Sequence, residues 1–329
     1  MLIPEYSVTT EILKNISAIE YGRGIIENTT ILPSWDRQLK REALIKDTFN
    51  ILSLGGHSIL KEIIKKAVDE VSERTPKEIS NYLNAKEELT QLASFRDFEE
   101  QDIKKLHTIA STQALNKKGR YRGIELTYGT KPQEILAEMV ELMDWYHSID
   151  AKDTHPVLTA GIMHGYIEHI VPFESSNRVI ANLTALLILK SHNYHISEYF
   201  CLSEFYNQDL KSYDFAINSI DKNEEDLTKW LEYFTRGMAN EISTLTDKVL
   251  LLAKDTKIAQ ASGKAELSRR QEKIVLYLQD YGRIQNVDFE KLFPHLSEDT
   301  VLRDLKTLID KGIVEKKGKT KSSRYELKK

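Results

Sequence analysis

The segment from His155 to Leu189, HPVLTAGIMHGYIEHIVPFESSNRVIANLTALLIL, concentrates the side chains of this chain that could do chemistry. His164, Glu168 and His169 give H-x-x-x-E-H, which is not the spacing of a zinc-protease helix. His164 and Glu168 lie one helical turn apart, so a metal pair is conceivable, but a hydrogen-bonded core histidine is the expectation. Ser175, Ser176, Asn177 and Arg178 then open an apolar run. Two hydroxyls, an amide and a guanidinium at a helix N-terminus can hold a phosphate alongside the free backbone N–H groups. The single cysteine, Cys201, excludes an intrachain disulfide and is expected as a small core residue. The glycines at 22 and 24 follow no strand and make no nucleotide fingerprint. A second set of chemistry-bearing side chains is basic and lies in the last 66 residues.

These groups need elements to position them. Apolar residues recur at three- and four-residue spacing through most of residues 1–262, which predicts helices. Ile135, Met139, Leu142 and Trp145 make one such stripe. Residues 119–129, GRYRGIELTYG, alternate between bracketing glycines and predict a short strand or hairpin. The stretch 224–261 reads as a closing pair of helices. The small, polar run AQASGKAE at 259–266 marks the expected boundary between a helical domain, 1–262, and a second domain, 263–329.

Composition bounds the function class. The 329 residues are 41% hydrophobic and 29% charged, with a mean hydropathy of −0.42 and a net charge of −4. That suits a globular, helix-rich protein. No apolar run approaches the roughly 18 residues that span a bilayer. The N-terminus lacks a basic and then apolar leader, so a cytoplasmic protein without membrane partners is expected. The charge is unevenly placed. Residues 264–329 carry 16 basic against 11 acidic side chains, a net of +5, which leaves −9 on residues 1–263. A basic module on an acidic body predicts a polyanionic partner for the smaller part.

From Leu267 the pattern is helix, short helix, helix, hairpin. Ser268 caps the first helix and Gly282 stops it. Val287 to Phe293 form the second, and Ser297 opens a third that carries Val301, Leu305, Leu308 and Ile309 inward and ends at Gly312. Strands at 313–315 and 324–327 flank a basic tip. This order resembles the winged helix-turn-helix of bacterial regulators, on Ser297, Thr300, Arg303, Asp304, Leu305, Leu308, Gly312 and Val314. The resemblance implies that Ser297, Thr300, Arg303 and Lys306 face the major groove of double-stranded DNA. Lys316, Lys317, Lys319, Lys321 and Arg324 would contact phosphates. Four or five neutralised phosphates predict a log–log salt slope of about −4. A docking face for protein, with solvated lysines, is the alternative.

The segment at 155–189 resembles the Fic (filamentation induced by cAMP) family, whose signature is H-P-F-x-[DE]-G-N-G-R-x-x-R. His155, Pro156, Ala160, His164, Ile167 and Ile170 match its flank, and Pro172, Phe173 and Asn177 match the motif at 171–182. The resemblance implies a mostly α, helical-bundle fold with a short β-hairpin, and, in active members, transfer of AMP or a related group to a protein hydroxyl. It also implies what is missing here. Val171 stands at the general-base histidine and has no lone pair. Ser175 stands at the acidic metal ligand, Ser176 and Arg178 at the two glycines, and Val179 and Asn182 at the arginines. An inhibitory helix of such proteins carries a glutamate where this chain has Leu54, which predicts Leu54 opposite Asn182. The expectation is therefore a catalytically degenerate Fic-type protein with no cofactor, acting as a dimeric DNA-binding regulator with an effector on its body. Its alternative is an AMP transferase, or a nucleotide sensor, using ATP and Mg at a non-standard site.

Overall fold

The computed structural model describes residues 3–94, 98–114, 116–222, 226–261, 267–294, 296–318 and 323–328. It divides into two compact units, one of residues 1–29 with 37–249 and one of residues 30–36 with 250–329. The division falls at 249/250, ahead of the polar run at 259–266.

The first unit is helical. Its elements are α1 (Thr10–Asn28), α2 (Pro33–Leu54), α3 (Lys61–Asp69), α4 (Lys77–Leu92), α5 (Glu100–Ala110), α6 (Ile135–His147), α7 (Ile149–Asp153), α8 (Pro156–Ile170) and α9 (Asn177–Ser191). A 3₁₀ turn at His195–Glu198, α10 (Leu202–Gln208), α11 (Leu210–Lys222) and α12 (Thr228–Ala261) follow; the start of α2, to residue 36, and the end of α12, from residue 250, are counted with the second unit. The stretch expected to be a helix pair is one continuous helix, because nothing between Thr228 and Ala261 supplies a proline or a positive-φ stop. No helix among the described residues is long and apolar enough to cross a membrane.

The centre is the antiparallel pair α8 and α9, both buried nearly all round. Pro156 sits in the first turn of α8, where its missing N–H costs nothing. Gly161 and Gly165 give α12 its close approach. Trp230 Nε1 donates to the Gly161 carbonyl at 2.7 Å, and a Cβ on Gly165 would lie 2.7 Å from that same indole nitrogen. The indole is rigid and fully buried. Gly165→Ala is therefore expected to destabilise the protein by about 1–3 kcal/mol, read as a lower urea midpoint at unchanged m.

The strand expected at 119–129 is corrected: these residues form no regular structure. Their backbone groups have other partners. Arg122 N–H donates to the Pro172 carbonyl at 2.9 Å and Thr130 N–H to the Ile170 carbonyl at 3.2 Å, so the segment is pinned at both ends to the loop after α8.

In the second unit the helices are α13 (Arg269–Tyr281), α14 (Asn286–Leu292) and α15 (Glu298–Asp310), followed by the strands β1 (Val314–Lys317) and β2 (Arg324–Leu327). Ser268 and Gln271 form a reciprocal capping box on α13, and Gly282 ends it at φ 74°. The two strands pair antiparallel, Val314 with Leu327 and Lys317 with Arg324. Ile284 adds a bridge to Tyr325, with N–H···O distances of 3.0 Å both ways. Ile274, Leu278, Phe289, Leu305, Leu308 and Val314 are among the residues of its core. Ser297 precedes α15 as expected but does not cap it with its side chain. Its hydroxyl lies 2.9 Å from that of Thr300 instead.

Candidate functional site

The loop between α8 and α9 is held from four sides. Val171 ends α8 in the left-handed region, at φ 51° and ψ 60°. That conformation costs a β-branched residue strain, so its surroundings must enforce it. Arg122 does so. Its guanidinium is buried and donates to the carbonyls of Val171 and Ile124, both at 2.8 Å, and of Thr130. Gly129, at φ 79°, packs against Val171 so closely that a Cβ there would lie 2.9 Å from the valine's own Cβ. His107 of α5 stacks on Phe173, with ring centroids 3.9 Å apart and planes 5° from parallel. Asn177 closes the loop by pairing with Phe173 twice, accepting from its N–H at 2.9 Å and donating to its carbonyl at 2.8 Å.

The side chains expected to hold phosphate are thus mostly committed to the protein. Both polar atoms of the Asn177 amide are used on Phe173. Arg178 Nη2 reaches Asp214 at 2.6 Å, its Nε lies 3.6 Å from Glu168, and its guanidinium stands over the Tyr213 ring at 5.3 Å. Ser175 is exposed; Ser176, at φ 65°, precedes α9 without a side-chain cap. Their hydroxyls lie 3.4 Å apart.

Val171 and Leu54 line a cleft of about 580 Å³ together with Ser175, Ser176, Arg178 and Val179. Asn182 does not line it and is buried in the core. One face of the cleft that sequence reasoning did not assemble brings together Glu168 of α8 and Asp214 of α11. Glu168 is buried beside Tyr213, and desolvation raises its pKa to about 7 against the lowering effect of Arg178. The Tyr213 hydroxyl lies 3.0 Å from His164 Nε2, so His164 is the hydrogen-bonded core histidine that was expected. Burial drives its pKa down to about 3, and that of His107 to about 4. Among the described residues no group of three His, Cys, Asp or Glu side chains converges to hold a metal. Cys201 is buried, its Sγ 3.2 Å from Ser203 Oγ, and burial raises its thiol well above the ordinary value. That disfavours the thiolate that a nucleophilic cysteine needs.

Residues 97–189 match the model of the Fic/DOC family. Over these residues the chain carries a Fic/DOC-family domain. A Fic family protein from Desulfovibrio desulfuricans G20 is similar over 99% of this chain and 98% of its own, at 18% identity and a TM-score of 0.65. Fic-1 (residues 134–508) from C. elegans is similar over 73% of this chain and 71% of its own, at 15% identity and a TM-score of 0.59. A Fic domain containing signalling protein from Bacteroides thetaiotaomicron covers 75% of this chain and 97% of its own, at 18% identity and 0.58. At these identities the likeness is one of fold. No curated protein matches the chain.

A Fic/DOC fold implies Mg·ATP, and the residues present do not fit it. Three carboxylates, Glu168, Glu174 and Asp214, line the cleft against one lining cation, Arg178. That cation already has two acidic partners. A polyphosphate here meets like charge with no free guanidinium to offset it.

The second candidate face lies on α15 and the hairpin. Arg303 and Lys306 are exposed on α15, Ser297 is exposed before it, and Thr300 is half-buried. Asp304, between the arginine and the buried Leu305, points the other way. It is buried and accepts from Arg270 at 2.8 Å and Gln271 at 3.2 Å, tying α15 to α13. On the hairpin, Lys317 is paired with Glu326 at 2.8 Å and Glu315 at 2.9 Å, and Arg324 with Glu326 at 2.8 Å. Lys316 is exposed. Lys319 and Lys321 lie outside the described residues.

Proposed function

We propose that this chain is a DNA-binding regulator built on a Fic/DOC domain that has lost catalysis and works without a nucleotide cofactor. The observation that carries the reading is the division of labour on α15. Asp304 is spent inward on Arg270 and Gln271, which leaves Arg303 and Lys306 outward on a helix whose inner stripe is buried. A winged helix presents its third helix to the major groove in this way. The hairpin pairs of Lys317 and Arg324 are exposed and screened by solvent, so phosphates can displace their carboxylates. Glu298 and Asp299 suit the start of α15 but repel phosphate, which restricts productive docking to the Arg303 side. On the body, Val171 offers no lone pair to a hydroxyl proton. A dimer is expected, since two-fold operators are bound by two copies.

Fluorescence anisotropy with labelled duplex DNA tests this. Affinity is expected to fall with salt at a log–log slope of about −4, and Arg303→Ala with Lys306→Ala to reduce that slope by about two. Binding indifferent to both salt and these substitutions overturns the reading. Transfer of label from ATP to protein, lost in Asn177→Ala, would support the AMP-transfer alternative in its place.

A further inference from the structure

The cleft beside Val171 has an acidic surplus and one carboxylate oxygen without a hydrogen-bond donor. Arg178 is held by Asp214 and Glu168, and Glu174 by Lys117 at 2.6 Å. Glu168 turns only its Oε2 toward Arg178. Its side chain is 8% exposed, it lies on the cleft wall, and its Oε1 makes no hydrogen bond. A buried carboxylate oxygen without a donor is costly, and a ligand N–H would relieve it. Leu54, Leu126 and Ile217 supply apolar wall, and about 580 Å³ lies within the range of small-molecule sites.

We infer that this cleft binds a small organic cation, an amine on an apolar body, whose N–H group meets Glu168 and whose charge offsets the surplus carboxylates. The inference is independent of whether the second unit binds DNA. It also fixes a proton balance. The groups facing Glu168 are His164 on its own helix, Tyr213 and Asp214 from α11, Arg178 from α9 and Tyr206 from α10. His164 is neutral near pH 7, and burial holds both tyrosines protonated. Glu168, held up to about 7, is part-protonated there. An arriving ammonium favours the carboxylate, so the carboxyl proton leaves for the buffer as the amine binds.

Calorimetry on the full chain tests the inference with 2-phenylethylamine, 3-phenylpropionate as a similar apolar body with an anionic head, and ATP. The amine is expected to bind saturably, with the two anions weaker by about ten-fold or more. Proton release is expected near pH 7, read from the heats in two sulfonate buffers of different ionisation enthalpy. Glu168→Gln is expected to abolish the release and weaken the amine about ten-fold; Asp214→Asn weakens the amine and retains the release. Anions that bind as tightly as the amine, amine binding without proton release, or no amine binding up to about 10 mM overturns the inference. The wild-type measurements decide the matter by themselves if Glu168→Gln fails to fold.

Discussion

Lowering the pH from 7 to 4 is expected to destabilise the first, helical unit by about 3 kcal/mol, as the sum of two opposed terms. His164 and His107 are buried and neutral, with values near 3 and 4 in the folded protein against an ordinary 6.5. The unfolded chain takes up their protons first as the pH falls below 6.5, so stability present at pH 7 is lost on acidification, about 6 kcal/mol for the pair at pH 4. Glu168 runs the other way. Its folded value near 7 lies above its ordinary 4.5, so the folded state keeps its proton longer, and stability is greatest below 4.5 and lost as the pH rises through 7. Acidification therefore returns about 3 kcal/mol through this one group. Urea unfolding across this range should show the net fall. Glu168→Gln should raise stability at pH 8 by about 3 kcal/mol and make the fall toward pH 4 steeper, to about 6. A stability that is level from pH 4 to 7 in both proteins would refute the assignment of these three buried groups.

The second large effect is expected at Arg122. Arg122→Met should cost about 3–5 kcal/mol, because it removes charge-assisted donors from the carbonyls of Val171, Ile124 and Thr130 and leaves them buried together. Arg122→Lys should fall between, since an ammonium is a point donor and cannot span three carbonyls as a guanidinium fork does. The loss should be local as well as global. Amide exchange at Thr130, whose N–H bonds to the Ile170 carbonyl, should quicken in both variants. A protein with Met at 122 that unfolds at the wild-type urea midpoint would show that the arginine is not the clamp holding Val171 in its left-handed conformation.

Most of the helical architecture was legible in the sequence because its causes are local. The stripe Ile135, Met139, Leu142 and Trp145 is buried on α6 as its spacing requires. The capping box of Ser268 with Gln271 and the positive-φ stops at Gly282 and Gly312 place the ends of α13 and α15 within a residue or so of expectation. The strand at 119–129 failed for an equally physical reason. Alternation is a proxy for pairing with a neighbouring strand, and here the backbone groups of Arg122 and Thr130 pair with a helix end instead. Arg122 itself gave little signal, being one basic residue inside an alternating run. Asp214 gave none, since its partner Arg178 is distant in the chain.

By itself, then, the sequence determined the helices and their caps, the basic character of the last 66 residues, and the absence of a proton-accepting side chain at Val171, because each follows from a residue type and its immediate neighbours. Only the tertiary structure decided the charge of the cleft. Glu168 and Arg178 arrive from two packed helices and Asp214 from a third, and packing alone determines whether the guanidinium is left free for an anion or is held by carboxylates. It is held, which turns a loop that reads as a remnant phosphate site into an acidic one. The same holds for Asp304: its position beside Arg303 is written in the sequence, but its inward direction is set by where α13 places Arg270 and Gln271. Coulomb and hydrogen-bond energies depend on distance in space, and folding sets that distance independently of separation along the chain.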